Sequence, residues 1–200
     1  MREIVPGVFS WSWFAERQGY DFNGYLFRLP EGNLCVDPVE MSGDVLDEIA
    51  RLGVQRIVLT NRNHFRASMK VHERTGAPIA MHPSDAGFAR DRGTRVDEQL
   101  HPGDRLGPLT VVAAPGKSPG EVALYWPDRR ILLVGDACVG KPPGECALLP
   151  DAVIDDKLRL MASLRALAAL DFDVLLLADG APILAGGRAA LRRLVESFPR

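Results

Sequence analysis

An apolar run, a segment with helical periodicity and a second apolar run follow one another between residues 34 and 60. The first run is Leu34–Pro38, and the second, Arg56–Thr60, has the Ile-Val-Leu centre that favours a buried strand. Between them Ser42 or Asp44 can cap a helix, and Gly53 can end it. The apolar residues of that helix recur at helical spacing: Val45, Leu46, Ile49 and Leu52. A strand, a helix and a strand in succession predict an α/β fold.

The alternation continues along the chain, with turns rich in Pro, Gly and Asn between its elements. We expect two mixed β-sheets with helices outside them, in one domain that covers residues 1–200. The predicted strands are 4–14, 23–29, 34–38, 56–60, 77–80, 109–113, 121–126, 130–134 and 174–177. The predicted helices are 44–52, one that Gly76 ends, a short one from His82, Ala152–Leu170 capped by Asp151, and one after Gly186.

Composition excludes several classes of protein. Hydrophobic residues make up 46% and charged residues 25% of the 200 residues, which is typical of a globular protein and not of a disordered one. The net charge of -2 gives no basic surface for nucleic acid. No apolar run approaches the roughly 18 residues of a membrane span, and the N-terminus lacks a secretion signal. We therefore expect a cytoplasmic protein with no nucleic-acid or membrane partner.

The three cysteines, Cys35, Cys138 and Cys146, show no Cys-x-x-Cys spacing. An odd number without that spacing argues against a disulfide framework and against a structural zinc site. Small buried apolar residues are the simplest interpretation of all three. Cys138 also follows a predicted strand closely, so we expect it near the mouth of a pocket, where a reactive thiolate is conceivable.

Four polar loops follow predicted strands. Functional residues of α/β proteins collect where loops leave the carboxyl ends of strands, so these loops are where we expect chemistry. They are residues 61–66, 114–120, 135–138 and 178–183.

The order of motifs in these loops resembles that of a known family. Asn23-Gly24-Tyr25 and Cys35-Val36-Asp37-Pro38 open the series, and Pro115-Gly116-Lys117-Ser118-Pro119-Gly120 follows. Gly135-Asp136 and residues 178–184 complete it. The series is similar to that of the metallo-β-lactamase superfamily, which includes hydrolases of the glyoxalase II type, and the resemblance spans about residues 4–197. It implies a four-layer αββα sandwich of two mixed β-sheets flanked by helices.

The resemblance also implies two zinc ions, and here the sequence departs from the family. Against the family's Thr-His-x-His-x-Asp-His, residues 60–66 read Thr-Asn-Arg-Asn-His-Phe-Arg. Asn61 and Asn63 thus replace two ligand histidines, and Phe65 replaces the aspartate. The last histidine of this loop becomes Arg66, and the histidine of the family's Pro-Gly-His motif becomes Lys117. The terminal histidine becomes Asp179, and the bridging carboxylate Asp136 is kept.

The substituted positions balance in charge. Arg66 and Lys117 are cations and Asp136 and Asp179 are anions, so they can pair as Arg66–Asp136 or Lys117–Asp179 without metal. Asparagine is a poor zinc ligand, and two cations would repel an incoming dication. We therefore expect no metal cofactor and a lost dizinc centre.

Several roles remain open for these residues. Asp136, His64 and Lys117 are candidate catalytic groups, although a salt bridge and a hydrogen-bonded loop histidine are simpler interpretations. Candidate ligand-binding residues are Asn61, Asn63, Arg66, Asp179 and Cys138. If a metal does bind, we expect one divalent ion (Zn, Mn, Fe or Mg) held by Asp136, Asp179 and His64.

Three functions follow from these alternatives. The first is a non-dizinc protein that binds a small anionic or polar molecule, or a pseudo-hydrolase. The second is a hydrolase of esters, thioesters or amides that uses a single metal or a metal-free base. The third is a partner-binding role as a homodimer, suggested by the aromatic segment Trp11-Ser12-Trp13-Phe14.

Overall fold

The computed structural model describes residues 1–199. Its contacts divide the chain into two compact units, Met1–Leu100 and a second that begins at His101. Each unit is built on its own mixed β-sheet with helices against it. The predicted α/β class, with two mixed sheets flanked by helices, is confirmed. No helix within residues 1–199 is long and apolar enough to cross a membrane.

The sheet of the first unit has seven strands, which lie side by side in chain order. The strands from β1 to β4 pair antiparallel, and those from β4 to β7 pair parallel. They are β1 (Arg2–Val5), β2 (Val8–Ala15), β3 (Tyr20–Phe27), β4 (Leu34–Val36), β5 (Arg56–Leu59), β6 (Ile79–Met81) and β7 (Glu98–Gln99).

Three helices belong to the first unit: α1 (Gly43–Leu52), α2 (Ser68–Thr75) and α3 (Pro83–Arg90). Ser42 caps α1 by accepting the Val45 N–H, and Gly76 ends α2 in the left-handed conformation, at the residues that the sequence indicated. Ile49 of α1 and Val71 of α2 are fully buried in one apolar cluster with residues of β4, β5 and β6. The packing of α1 and α2 against the sheet fixes the ends of these strands, and the polar loops begin at those ends.

The sheet of the second unit has five strands, in the order β12-β11-β10-β9-β8. Only β11 and β12 are parallel neighbours, so the loops that follow them leave from the same edge. The strands are β8 (Arg105–Leu106), β9 (Leu109–Ala113), β10 (Val122–Trp126), β11 (Ile131–Val134) and β12 (Val174–Leu177). The helices are α4 (Lys157–Ala169) and α5 (Gly187–Glu196), and 3₁₀ turns occupy Pro127–Arg129 and Asp151–Val153.

The predicted start of the long helix at Ala152 is wrong. Residues 151–153 form only a 3₁₀ turn, and α4 begins after Asp156, whose carboxylate accepts the Arg159 N–H at 2.9 Å. The backbone N–H of Asp156 is committed to the carbonyl of Gly116 at 2.8 Å, which holds this residue as the cap. Leu158, in the first turn of α4, points outward with 79% of its surface exposed.

Candidate functional site

Asp37 organises the loop that follows β5 in the first unit. It follows β4, the parallel neighbour of β5, has a φ of 47°, and is fully buried. One carboxylate oxygen accepts the Thr60 N–H at 2.8 Å, and the other accepts the Thr60 hydroxyl at 2.6 Å. The second oxygen also lies 2.9 Å from Nδ1 of His64. Asp37 therefore ties the ends of two strands together through buried hydrogen bonds.

His64 is a buried, oriented imidazole. Its Nδ1 faces the Asp37 carboxylate, and the Thr60 hydroxyl oxygen lies 3.0 Å from the same nitrogen. A ring nitrogen that faces a carboxylate carries the proton and donates it. The Asp37–His64 contact thus fixes the orientation of the ring, as a candidate base or ligand would require.

The asparagines at the two substituted ligand positions differ in their surroundings. Asn61 is buried, and its side-chain oxygen accepts the Asn63 N–H at 2.8 Å. Its amide nitrogen lies 3.4 Å from Nε2 of His64. The side chain of Asn63 is exposed. Asn61 thus stabilises the turn of the loop, because its side-chain oxygen is hydrogen-bonded to the backbone of the same loop.

Arg66 lies on an aromatic ring. The centre of its guanidinium is 3.8 Å from the ring centroid of Phe22 on β3, which is a close cation–π contact. This stacking holds the positive charge in place at the end of the loop. The first unit therefore brings Asn61, His64 and Arg66 into one loop, anchored by Asp37.

In the second unit, Gly116 brings the loop that carries Lys117 against α4. Gly116 has a φ of 142°, and a Cβ placed on it would lie 2.3 Å from the Cα of Leu160. Its carbonyl accepts the Asp156 N–H at 2.8 Å, and the carbonyl of Pro115 accepts the Ser163 hydroxyl at 2.7 Å. Only glycine permits this approach, so the Pro-Gly pair of the motif positions Lys117.

We expect Gly116→Ala to lower the free energy of unfolding by about 2 kcal/mol, because it adds both backbone strain and a clash with Leu160. Gly43→Ala is the matched control. Nothing lies within 4 Å of a Cβ at Gly43, and this position begins α1, so alanine should be neutral or stabilising. Urea unfolding of both variants measures the difference, and equal stabilities would refute this role of Gly116.

Lys117 and Asp136 form a buried ion pair. Lys117 Nζ lies 2.6 Å from an Asp136 carboxylate oxygen, and the two side chains are only 8% and 6% exposed. Asp179 is also buried, and carboxylate oxygens of Asp136 and Asp179 lie within 4.8 Å of one another. The pairs predicted from the sequence were Arg66–Asp136 and Lys117–Asp179, and the observed pair, Lys117–Asp136, was not among them. Because β11 and β12 are parallel neighbours, their following loops bring both carboxylates to the same edge.

Two glycines hold the backbone on either side of this cluster. The Gly140 N–H donates to the Asp179 carbonyl at 3.0 Å, and the Ala181 N–H donates to the Gly140 carbonyl at 2.9 Å. A Cβ on Gly180 would lie 2.5 Å from the Gly140 oxygen. The close approach of these two backbones fixes the position of Asp179.

Cys138 lies in the core, as the simplest interpretation of the sequence predicted, and not at the mouth of a pocket, which was the alternative. Its thiol is fully buried and hydrogen-bonds to the thiol of Cys146, and this bond and burial raise its pKa. Cys146 is the half-buried member of the pair and lines a cavity. The expectation that Cys146 is a buried apolar residue is wrong, because it is only half-buried. No sequence signal indicated its contact with Cys138, since their spacing fits no metal or redox motif.

The two units offer different chemistry. The first presents an imidazole oriented by a carboxylate, together with an amide and a guanidinium. The second presents one ammonium and two carboxyl groups in a buried cluster. The guanidinium of the first set can bind an anionic group, and the carboxyl groups of the second set can accept hydrogen bonds from a polar one.

Comparison with known families and curated proteins gives one match. Residues 2–198 match a family model described as "Metallo-beta-lactamase superfamily". No curated protein is significantly similar in sequence to the chain.

Solved structures give the same result at the level of the fold. A crystal structure of TTHA1623 in a di-iron-bound form is 26% identical, with a TM-score of 0.72, and the match covers 88% of this chain and 94% of that one. A metallo-beta-lactamase from Pontibacter korlensis is 17% identical over 98% of each chain, with a TM-score of 0.79. The FIM-1 enzyme from Pseudomonas aeruginosa, in its mono-zinc form, is 15% identical, with a TM-score of 0.77, over 98% of this chain and 95% of that one.

Proposed function

Since the chain belongs to the metallo-beta-lactamase superfamily, we propose that it is a member without a dizinc centre and that it binds a small anionic or polar molecule. The observation that carries this proposal is the buried Lys117–Asp136 pair at 2.6 Å. An ammonium at this distance already neutralises the carboxylate that would have to bind a metal ion. In this proposal the fold is kept and the hydrolytic metal chemistry is absent.

The donor set of the remaining positions does not fit a pair of zinc ions. Zinc prefers imidazole nitrogen, thiolate and carboxylate ligands. An asparagine would have to bind through its oxygen, and the oxygen of Asn61 already accepts the Asn63 N–H. Of the two ring nitrogens of His64, only Nε2 could bind a metal ion, because Nδ1 faces the Asp37 carboxylate. Phe65 offers no ligand atom, and Arg66 adds a positive charge that repels metal.

The ligand-binding residues that we assign are the polar side chains of the two candidate sets. In the first unit, Arg66 is held on Phe22 and is oriented for an anion before a ligand arrives, while the exposed Asn63 offers an amide. In the second unit, Lys117 supplies a cation, and Asp179 can accept a hydrogen bond from a ligand hydroxyl or amine. Arg66 therefore favours a small molecule that carries a carboxylate or phosphate.

Titration calorimetry against a panel of small carboxylates and phosphates tests this function. We expect at least one member of the panel to bind, and Arg66→Gln to weaken its binding about tenfold or more, because a charge-assisted hydrogen bond contributes about 1.5–3 kcal/mol. Lys70→Gln, which removes an exposed cation on α2, is the matched control and should bind normally. The proposal would be contradicted if no compound of the panel binds, or if Arg66→Gln binds a ligand as tightly as the unaltered protein does.

A hydrolase with one divalent metal is the second candidate. The observation that favours it is the pair of carboxylates, Asp136 and Asp179, within 4.8 Å of one another. Such a set suits Mn²⁺ or Mg²⁺ better than zinc, and TTHA1623 has been solved with two irons. Metal-dependent hydrolysis of an ester, thioester or amide that disappears in Asp136→Ala would favour this candidate over the first.

We also propose that the protein is cytoplasmic and that it forms a homodimer. Trp13 and Phe14 on β2 are 44% and 55% exposed, and exposed aromatic residues are common at protein interfaces. Sedimentation at high concentration tests the dimer, and a monomer at all concentrations would contradict it.

A further inference from the structure

We propose that Cys138 and Cys146 form an oxidisable thiol pair, in which a hydroperoxide oxidises Cys146 and Cys138 then closes a disulfide. This inference is independent of the proposed function, because it uses neither the ion pair nor a bound ligand. It assigns a modification site to Cys146 and to Cys138, which the sequence offered as a ligand-binding residue and which is fully buried.

The backbone of residues 138–147 brings the two thiols together. The Val139 N–H donates to the Ala147 carbonyl, the Ala147 N–H donates to the Val139 carbonyl, and both distances are 2.9 Å. Side chains alternate between the two faces of such a bridge, so Cys138 and Cys146 lie on the same face. Their thiols are in hydrogen-bonding contact, and both are reduced.

A cavity gives solutes access to one thiol only. Cys146 lines a cavity of about 1020 Å³ together with Met161 of α4 and Leu194 of α5. Cys138 is fully buried. A peroxide that enters this cavity therefore reaches Cys146 first, and Cys138 serves as the resolving thiol.

Cys146 is also the more acidic of the two. The hydrogen bond from the Cys138 thiol lowers its pKa, burial opposes this, and the positive charge of Arg193 lowers it further. Lys157 and Arg165 of α4 line the same cavity, and the charge of Lys157 is paired with the Asp151 carboxylate. Since the thiolate is the reactive form, this environment favours attack by Cys146.

The chemistry balances with one hydroperoxide. The Cys146 thiolate attacks the terminal oxygen of the hydroperoxide and the O–O bond breaks. The leaving alkoxide, or hydroxide when the oxidant is hydrogen peroxide, takes up a proton, and Cys146 becomes a sulfenic acid. Cys138 then loses its proton, its sulfur forms the S–S bond, and the oxygen of the sulfenic acid leaves as water. Two thiols supply the two electrons that reduce the peroxide.

Treatment of the reduced protein with hydrogen peroxide tests the pair. We expect two of the three thiols to disappear, the intact mass to fall by two hydrogens, and a non-reduced digest to yield a peptide that joins Cys138 to Cys146. An oxidation that spares Cys146, or a chain that keeps all its thiols, would overturn the proposal.

Two variants separate the roles of the cysteines. In Cys138→Ser, Cys146 should stop at the sulfenic acid, which dimedone traps. Cys35→Ser is the matched control and should form the disulfide normally, because Cys35 is buried and burial raises its pKa. If Cys138→Ser does not fold, the peptide that joins Cys138 to Cys146 in the unaltered protein still shows whether the disulfide forms. A reaction no faster in the folded protein than in the urea-unfolded chain would also overturn the proposal.

Discussion

Replacing Asp136 with asparagine is expected to lower the free energy of unfolding by about 3 kcal/mol. Removal of one partner from a buried ion pair leaves the other charge poorly compensated, which costs about 3–5 kcal/mol in other proteins. We expect the lower end of that range, because the Asp179 carboxylate lies within 4.8 Å of the Asp136 carboxylate and remains in the variant. Urea unfolding at neutral pH measures the change.

Two companion variants show whether the loss comes from the unpaired Lys117. The double variant Asp136→Leu with Lys117→Met should recover most of the stability, because an apolar pair of similar volume removes both buried charges. Asp151→Asn breaks the exposed ion pair with Lys157 and should cost no more than about 1 kcal/mol. An Asp136→Asn variant as stable as Asp151→Asn, or a double variant without recovery, would contradict the account.

Replacing Asp37 with alanine is expected to have a similarly large effect. The carboxylate accepts two bonds from Thr60 and faces Nδ1 of His64, and all three residues are fully buried. Each buried donor left without an acceptor costs about 1–3 kcal/mol, so we expect a total loss of about 3 kcal/mol or more. The His64 ring should also lose its fixed orientation, which the ¹⁵N shifts of the imidazole nitrogens report.

Two matched variants test the reason for this loss. Asp37→Asn should cost less than the alanine variant, because asparagine also tolerates a φ of 47° and keeps one acceptor oxygen for the Thr60 N–H. Asp44→Ala, in the exposed first turn of α1, should cost at most about 1 kcal/mol. Unchanged His64 shifts in Asp37→Ala would refute the orienting role of Asp37.

Most of the fold could be predicted from the chain because local signals agreed with the final packing. The run 56–60 contains β5, and the helix capped by Ser42 begins and ends where expected. The start of α4 could not be predicted, because Asp151 and Asp156 are both good caps in sequence. The choice depends on the bond from the Asp156 N–H to the Gly116 carbonyl, a contact between residues 40 positions apart.

The candidate site was predictable in its residue types but not in its pairings. The order of motifs identified Lys117, Asp136 and Asp179, whereas the contact of Lys117 with Asp136 depends on side-chain packing that no spacing encodes. Asp37 appeared in a motif, but its hydrogen bonds to Thr60 and His64 became evident only from the parallel pairing of β4 and β5. Cys146 had no sequence signal, since a bridge between Val139 and Ala147 brings it to Cys138.

The metal content of the purified protein shows whether the carboxylates of Asp136 and Asp179 hold a metal ion. The untagged protein would be equilibrated with zinc, manganese, iron and magnesium, dialysed, and measured by inductively coupled plasma mass spectrometry, with Asp136→Ala and Asp179→Ala in parallel. We predict no stoichiometric metal in the unaltered protein, because the Lys117 ammonium holds the Asp136 carboxylate. Retention of a metal ion that either variant releases would contradict the account and favour the hydrolase.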